Sequence, residues 1–115
     1  PELAAAGLWT TPSDLLKWSI ALAGAWNGNQ SAFLSRSSAK EMLTPQPGGC
    51  GLGIFVRGKG DSFCFQHGGA NAGYRSCLLF YPKSGNGIAI MCNGDGADDL
   101  QEEVVRAVVA EYRWE

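Results

Sequence analysis

The chain has 115 residues, 45% of them apolar and 17% charged, and nine Lys and Arg against eleven Asp and Glu give a net charge of −2. That composition excludes a disordered polyelectrolyte, which needs low hydrophobicity and high charge. It also argues against a nucleic-acid module, which would carry a clustered basic face. No apolar run approaches the ~20 residues of a spanning helix, and Pro1-Glu2-Leu3 has no basic leader region. Neither a membrane segment nor a signal peptide is therefore expected in this stretch.

The first clear element is a helix opening at Thr11-Pro12-Ser13-Asp14. Thr11 is the N-cap, Pro12 takes the first helical position, and Asp14 suits the third position of a capping box. Leu15, Trp18 and Leu22 recur at helical spacing, with Leu16, Ile20 and Ala23 widening the stripe, and the helix is expected to end near Gly24. Asn27-Gly28-Asn29-Gln30 reads as a polar loop; Asn29-Gln30-Ser31 within it also spells a glycosylation sequon. Ser35 or Ser37 can cap a second short helix reaching about Leu43, stopped by Pro45 and Pro47. Trp9, Trp18 and Trp26 read as core residues.

After Gly48-Gly49 the pattern turns to strands, in keeping with sixteen glycines in the chain. Strands are predicted over 51–57, 62–67, 74–81 and 87–93, with a turn at 58–61 and a five-residue hairpin loop at 82–86. The last two are apolar on both faces (Cys77, Leu78, Leu79, Phe80, then Ile88, Ala89, Ile90, Met91), so both faces need cover. Short loops make the pairing antiparallel. Asp98 is expected to cap a final helix whose stripe is Leu100, Val104, Val105, Val108, Val109 and Tyr112. The fold class is thus α+β: an antiparallel sheet of about four strands flanked by helices, in one domain over 1–115.

Cys50, Cys64, Cys77 and Cys92 form no C-x-x-C pair and the only histidine is His67, so zinc spacing is absent and no metal or cofactor is expected. Two disulfides fit the count. We read four buried free thiols instead, since each lies in or beside an apolar run, and this leans towards a reducing compartment. Asn93-Gly94-Asp95-Gly96-Ala97-Asp98 is acidic but fails the calcium-loop pattern and reads as a strand exit. His67 heads His67-Gly68-Gly69-Ala70-Asn71, where glycines let a ligand or a backbone approach closely. A histidine at a strand end is equally a surface residue or the partner of a carbonyl.

Several segments in order carry a resemblance: Ala5-Ala6-Gly7-Leu8-Trp9-Thr10-Thr11-Pro12-Ser13-Asp14-Leu15, Gly51-Leu52-Gly53-Ile54, His67-Gly68-Gly69 through Gly73-Tyr74, and Phe80-Tyr81-Pro82 with a strand ending at Asn93. Together they resemble the C-terminal part of the serine β-lactamase and penicillin-binding-protein superfamily. The branch is that of class C β-lactamases, D-alanyl-D-alanine peptidases and related esterases. That family builds its site from S-x-x-K, Y-x-N and K-T-G or H-x-G motifs. His67-Gly68-Gly69 matches the third. The resemblance implies that His67 takes the place of the motif's Lys or His, and that the Ala70 N–H is one of two oxyanion-hole donors. It also implies that Gly68, Gly69 and Asn71 border the strand along which substrate lies.

Ser37-Ser38-Ala39-Lys40 formally matches S-x-x-K, but nine Ser and four Lys give about 0.3 such matches by chance in this length. It sits on a short proline-bounded helix, and no Y-x-N occurs. The chain therefore reads as the C-terminal segment of a longer serine hydrolase, an esterase, peptidase or β-lactamase, without its nucleophile. Its implied partners are a small-molecule or peptide substrate and the missing N-terminal part of the same domain. The competing reading is a binding or scaffolding domain that retains the fold without chemistry. Arg75 is either an anchor for a substrate carboxylate or a solvent-facing residue.

Overall fold

A computed structural model describes residues 6–29 and 33–114. Helix α1 spans Pro12–Asn27 and helix α2 spans Arg36–Met42. Strands β1 (Phe55–Arg57), β2 (Cys64–Asn71), β3 (Tyr74–Tyr81) and β4 (Asn86–Cys92) follow, and helix α3 (Asp98–Tyr112) closes the order. The four strands form one antiparallel sheet in sequence order. The fold is α+β, as its pattern of elements predicts. No helix among the described residues is long and apolar enough to cross a membrane.

The caps explain the helix boundaries. The Thr11 hydroxyl accepts from the Asp14 N–H at 3.2 Å and donates to the Asp14 carboxylate at 3.1 Å. Lys17 adds an ion pair at 2.8 Å. Helix α1 runs past the expected end at Gly24, because the stop is made by Gly28 in a left-handed conformation (φ 92°). Gly28 N–H donates to Ala25 O and Asn29 N–H to Gly24 O, the double closure of a Schellman turn. Ser35, not Ser37, caps α2 by accepting from the Ser38 N–H at 3.1 Å. Residues 30 and 31 of the sequon lie outside the described residues.

The sheet is covered on both faces because alternate residues of β2 and β3 are apolar on each. Phe65, Leu78 and Phe80 pack under α1 and α2 with Leu22, Ala25, Ala39 and Leu43. The Phe65 and Phe80 rings stack at 5.3 Å, and Trp18 meets Phe65 edge-on at 6.4 Å. Cys64, Leu79 and Tyr81 form the core of the other face, against Val105, Val109 and Trp114 of α3 and its exit. Asn27 Nδ2 donates to Pro82 O at 2.7 Å and ties the end of α1 to the β3–β4 hairpin.

Several expectations need correction. The strand expected over 51–57 is only Phe55–Arg57. Gly51 N–H donates to Ile54 O, Leu52 N–H donates to Met42 O, and Gly53 has φ 67°, so 51–54 turns back against the end of α2. The second strand is longer than expected, running through the glycines to Asn71. The hairpin loop is four residues, 82–85, because β4 begins at Asn86. Ala97, not Asp98, is the N-cap of α3, without a side-chain bond, since the Asp98 carboxylate is engaged by Arg75. Trp9 is 92% exposed, not core. The four cysteines are free, but only Cys64 is buried; Cys77 and Cys92 are half-buried, and Cys50 is exposed because it lies in a loop that meets the sheet only through a lone bridge to Phe55.

Candidate functional site

Strand β2 has a partner on both sides only at Phe65 and Gln66. β1 pairs Arg57, Val56 and Phe55 with Cys64, Phe65 and Gln66, and its pairing stops there. From His67 to Asn71, β2 pairs with β3 alone among the described residues, in a register that sets His67 opposite Leu78, Gly69 opposite Ser76 and Asn71 opposite Tyr74. Residues 67–71 therefore form an open sheet edge.

The orientation of that edge follows from the turn. Ala72 and Gly73 alone connect β2 to β3, with Gly73 at φ 77°. A two-residue loop makes its flanking residues, Asn71 and Tyr74, exchange hydrogen bonds. Alternation then directs the backbone groups of His67 and Gly69 towards β3, and those of Gly68 and Ala70 out of the open edge. The Ala70 N–H thus points to solvent. Side chains alternate too: His67, Gly69 and Asn71 share the face of Phe65, whereas Gly68 and Ala70 share the face of Cys64.

Gly69 stands against its neighbour. A Cβ there would displace the Ser76 hydroxyl, which would have to rotate away. Gly68 meets nothing closer than Ser76 O at 3.7 Å. The pair leaves this stretch of the edge without side chains.

His67 is exposed, and its Nδ1 lies 2.6 Å from Gly68 O. A carbonyl oxygen only accepts, so Nδ1 carries the proton and, in the neutral ring, Nε2 keeps its lone pair. The ring is 5.6 Å from the Phe55 ring, at the point where β1 pairing ends. His67 is thus both a carbonyl partner and an acceptor presented beside the outward-facing Ala70 N–H.

Arg75 corrects the sequence reading more sharply. Its side chain is only 19% exposed and faces neither a free substrate position nor open solvent. Nη1 donates to Asn71 O and Tyr74 O, both at 2.9 Å, and to Asp95 Oδ1 at 3.1 Å, while Nε donates to Asp98 Oδ2 at 3.2 Å. Asp95 Oδ1 also accepts from Gly73 N–H at 2.9 Å. Two carboxylates offset the guanidinium charge. The acidic loop after β4 was the signal in the sequence; what it binds is an arginine.

Two concavities lie on the opposite face, one between the sheet and the C-terminal helix and one between the β1–β2 connection and Trp114. One, of about 560 Å³, is lined by Leu79, Tyr81, Val105, Arg106, Val109 and Arg113 among others. Neither includes a residue of the open edge. No group of three His, Cys, Asp or Glu among the described residues is placed to hold a metal ion. Ser37 is exposed on α2, with its hydroxyl 2.9 Å from that of the capping Ser35.

Comparison with known proteins agrees with this architecture. The family described as Beta-lactamase matches residues 1–111. A solved structure titled "Crystal structure of SurE" superposes with a TM-score of 0.70 at 24% sequence identity, over 84% of this chain and 24% of that one. The likeness shows a shared fold, and the chain spans about a quarter of that protein's length. No curated protein matches.

Proposed function

Since the chain belongs to the beta-lactamase family, we propose that it is the C-terminal segment of a serine hydrolase that works by acyl transfer on an ester, a peptide or a β-lactam. One observation carries this reading: the open edge 67–71, with the Ala70 N–H directed outward beside His67. A substrate lying along that edge adds as a further strand, and its carbonyl meets a donor fixed in direction. Such a donor stabilises the negative charge that develops on oxygen without reorganising. Gly68 and Gly69 keep side chains out of the way, and Asn71 borders the far end. His67 Nε2 is available to accept a hydrogen bond from substrate or from the catalytic network.

Residues 1–115 then contribute one wall of a site whose nucleophile and base lie in sequence upstream. The exposed Leu8, Trp9, Ile20, Phe33 and Leu52 support that reading, as apolar surface that a larger domain would cover. The cap-like bond of Ser37 to Ser35 supports a structural role for Ser37-Ser38-Ala39-Lys40. The segment alone is inactive on this reading.

The test uses the full-length protein, labelled with a fluorophosphonate probe and assayed on p-nitrophenyl esters. Labelling of a serine upstream of this segment is expected. Ala70→Pro deletes one N–H at an open edge, where proline is tolerated. It should lower kcat about a hundredfold or more with the fold retained. Absence of labelling and turnover would point to the scaffolding alternative. Full activity in Ala70→Pro would refute the oxyanion role.

A further inference from the structure

We propose that Arg75 is a positioning residue, whose guanidinium holds the Ala70 end of the open edge in the place an incoming acyl group needs. The proposal rests on the reading of 67–71 as the substrate strand. Past Gln66 that strand is bonded on one side only, and it ends in a two-residue turn. Such a tip belongs to the low-stability end of a fold, where local opening is easiest. An oxyanion donor cannot tolerate that freedom, because its worth depends on being fixed before the charge develops.

Arg75 answers this need from the face opposite His67. In the ladder its side chain shares the face of Cys77 and Leu79, so it leaves the edge and the His67 face clear. Its contacts are divided between two bodies. The carbonyls of Asn71 and Tyr74 belong to the tip; Asp95 and Asp98 belong to the loop after β4 and the start of α3. Asp95 closes a second link through Gly73 N–H. The tip is thereby fastened to the helix that covers the α3 face of the sheet. Two ion pairs elsewhere among the described residues differ: Lys17 with Asp14 and Lys83 with Asp61 are exposed couples without backbone carbonyls in the network. A planar guanidinium spans four acceptors in this way, and a lysine ammonium does not.

The experiment uses the full-length protein with Arg75→Ala, Asp95→Asn as a milder variant, and Lys83→Ala as a control for an ion pair elsewhere. Amide hydrogen exchange is followed in peptides covering 67–74 and 77–81, with kcat and KM on a p-nitrophenyl ester. Arg75→Ala should speed exchange in 67–74 about tenfold or more, leave 77–81 as protected as in wild type, and lower kcat about tenfold with KM little changed; Asp95→Asn should move the same readouts in the same direction by less. Lys83→Ala should do none of these. Unchanged exchange at 67–74, equal loosening of both peptides, or faster exchange with undiminished kcat would each overturn the proposal. A wild type that neither labels with the fluorophosphonate probe nor turns over ester or nitrocefin refutes acyl transfer instead, and exchange alone then decides whether Arg75 holds the edge.

Discussion

The ring of Phe80 lies across Gly87, its partner in the β3–β4 ladder, and occupies the space where a side chain on residue 87 would stand. Phe80 is 2% exposed and stacked on Phe65, so it has nowhere to move. Gly87→Ala should therefore destabilise the protein by about 1–3 kcal/mol, as overpacking of a filled core does. Gly94→Ala, with nothing within 4 Å of the added methyl, is the matched control and should stay within about 0.5 kcal/mol of wild type. Urea unfolding of both variants checks this; equal midpoints would remove the steric argument.

Helix α3 ends on Arg113 in the left-handed region, at φ 52°. Its N–H donates to Ala110 O and Trp114 N–H donates to Val109 O, the same closure that Gly28 makes for α1. An L-residue with a side chain pays about 1–2 kcal/mol for that conformation, and glycine does not. Arg113→Gly should raise stability by roughly 1 kcal/mol, read as a higher thermal midpoint. A lower midpoint would mean that the arginine side chain contributes more than its backbone strain costs.

Burial pushes the Cys77 thiol above its ordinary value of 9.0, and the charge of Arg57 opposes this only in part. As pH rises past 9, the unfolded chain ionises first and binds fewer protons than the native state, so stability falls. Urea midpoints measured from pH 8 to pH 10 should decline less steeply in Cys77→Ala than in wild type. Parallel slopes would place the alkaline sensitivity elsewhere. In the same samples at neutral pH, the exposed Cys50 should alkylate first and the buried Cys64 last.

Because Arg75 is neutralised by Asp95 and Asp98, it is not free to anchor a substrate carboxylate. The open edge therefore lacks the fixed cation that a lysine at position 67 would bring. His67→Lys in the full-length protein should shift the ratio of kcat/KM for nitrocefin over that for a p-nitrophenyl ester upwards by about fivefold. That corresponds to an exposed charge contact worth on the order of 1 kcal/mol. An unchanged ratio, or a wild type that already prefers nitrocefin, would show that charge at this position does not select the substrate.

What the sequence made legible was local. Thr11-Pro12 announces α1, and the doubly apolar run 74–81 matches the bounds of β3. Where long-range contacts decide, local pattern fails. The run 51–57 has strand composition, but Gly53 at positive φ and the bond from Leu52 to Met42 O turn its first half aside. Trp9 looks like core and is exposed, since burial depends on neighbours as much as on side chain. At the candidate site, His67-Gly68-Gly69 was visible as a motif; the open edge and the outward Ala70 N–H were not, because the length of β1 sets where the edge begins and the ladder register from the Ala72-Gly73 turn sets which groups face out. Arg75 meets acceptors 20 and 23 residues away, a separation with no periodicity to reveal it.

The open edge also has a colloidal consequence. Sheet edges are commonly blunted by a charge, a proline or a bulge, and Gly68-Gly69-Ala70-Asn71 carries none of these. Whatever ordinarily lies along it, the segment prepared by itself presents a ready template for another strand. Two copies meeting edge to edge would join their four-stranded sheets into one of eight. The purified segment is therefore expected to self-associate as its concentration rises, and a lysine at position 70, placed on the edge as a gatekeeper, should hold it monomeric.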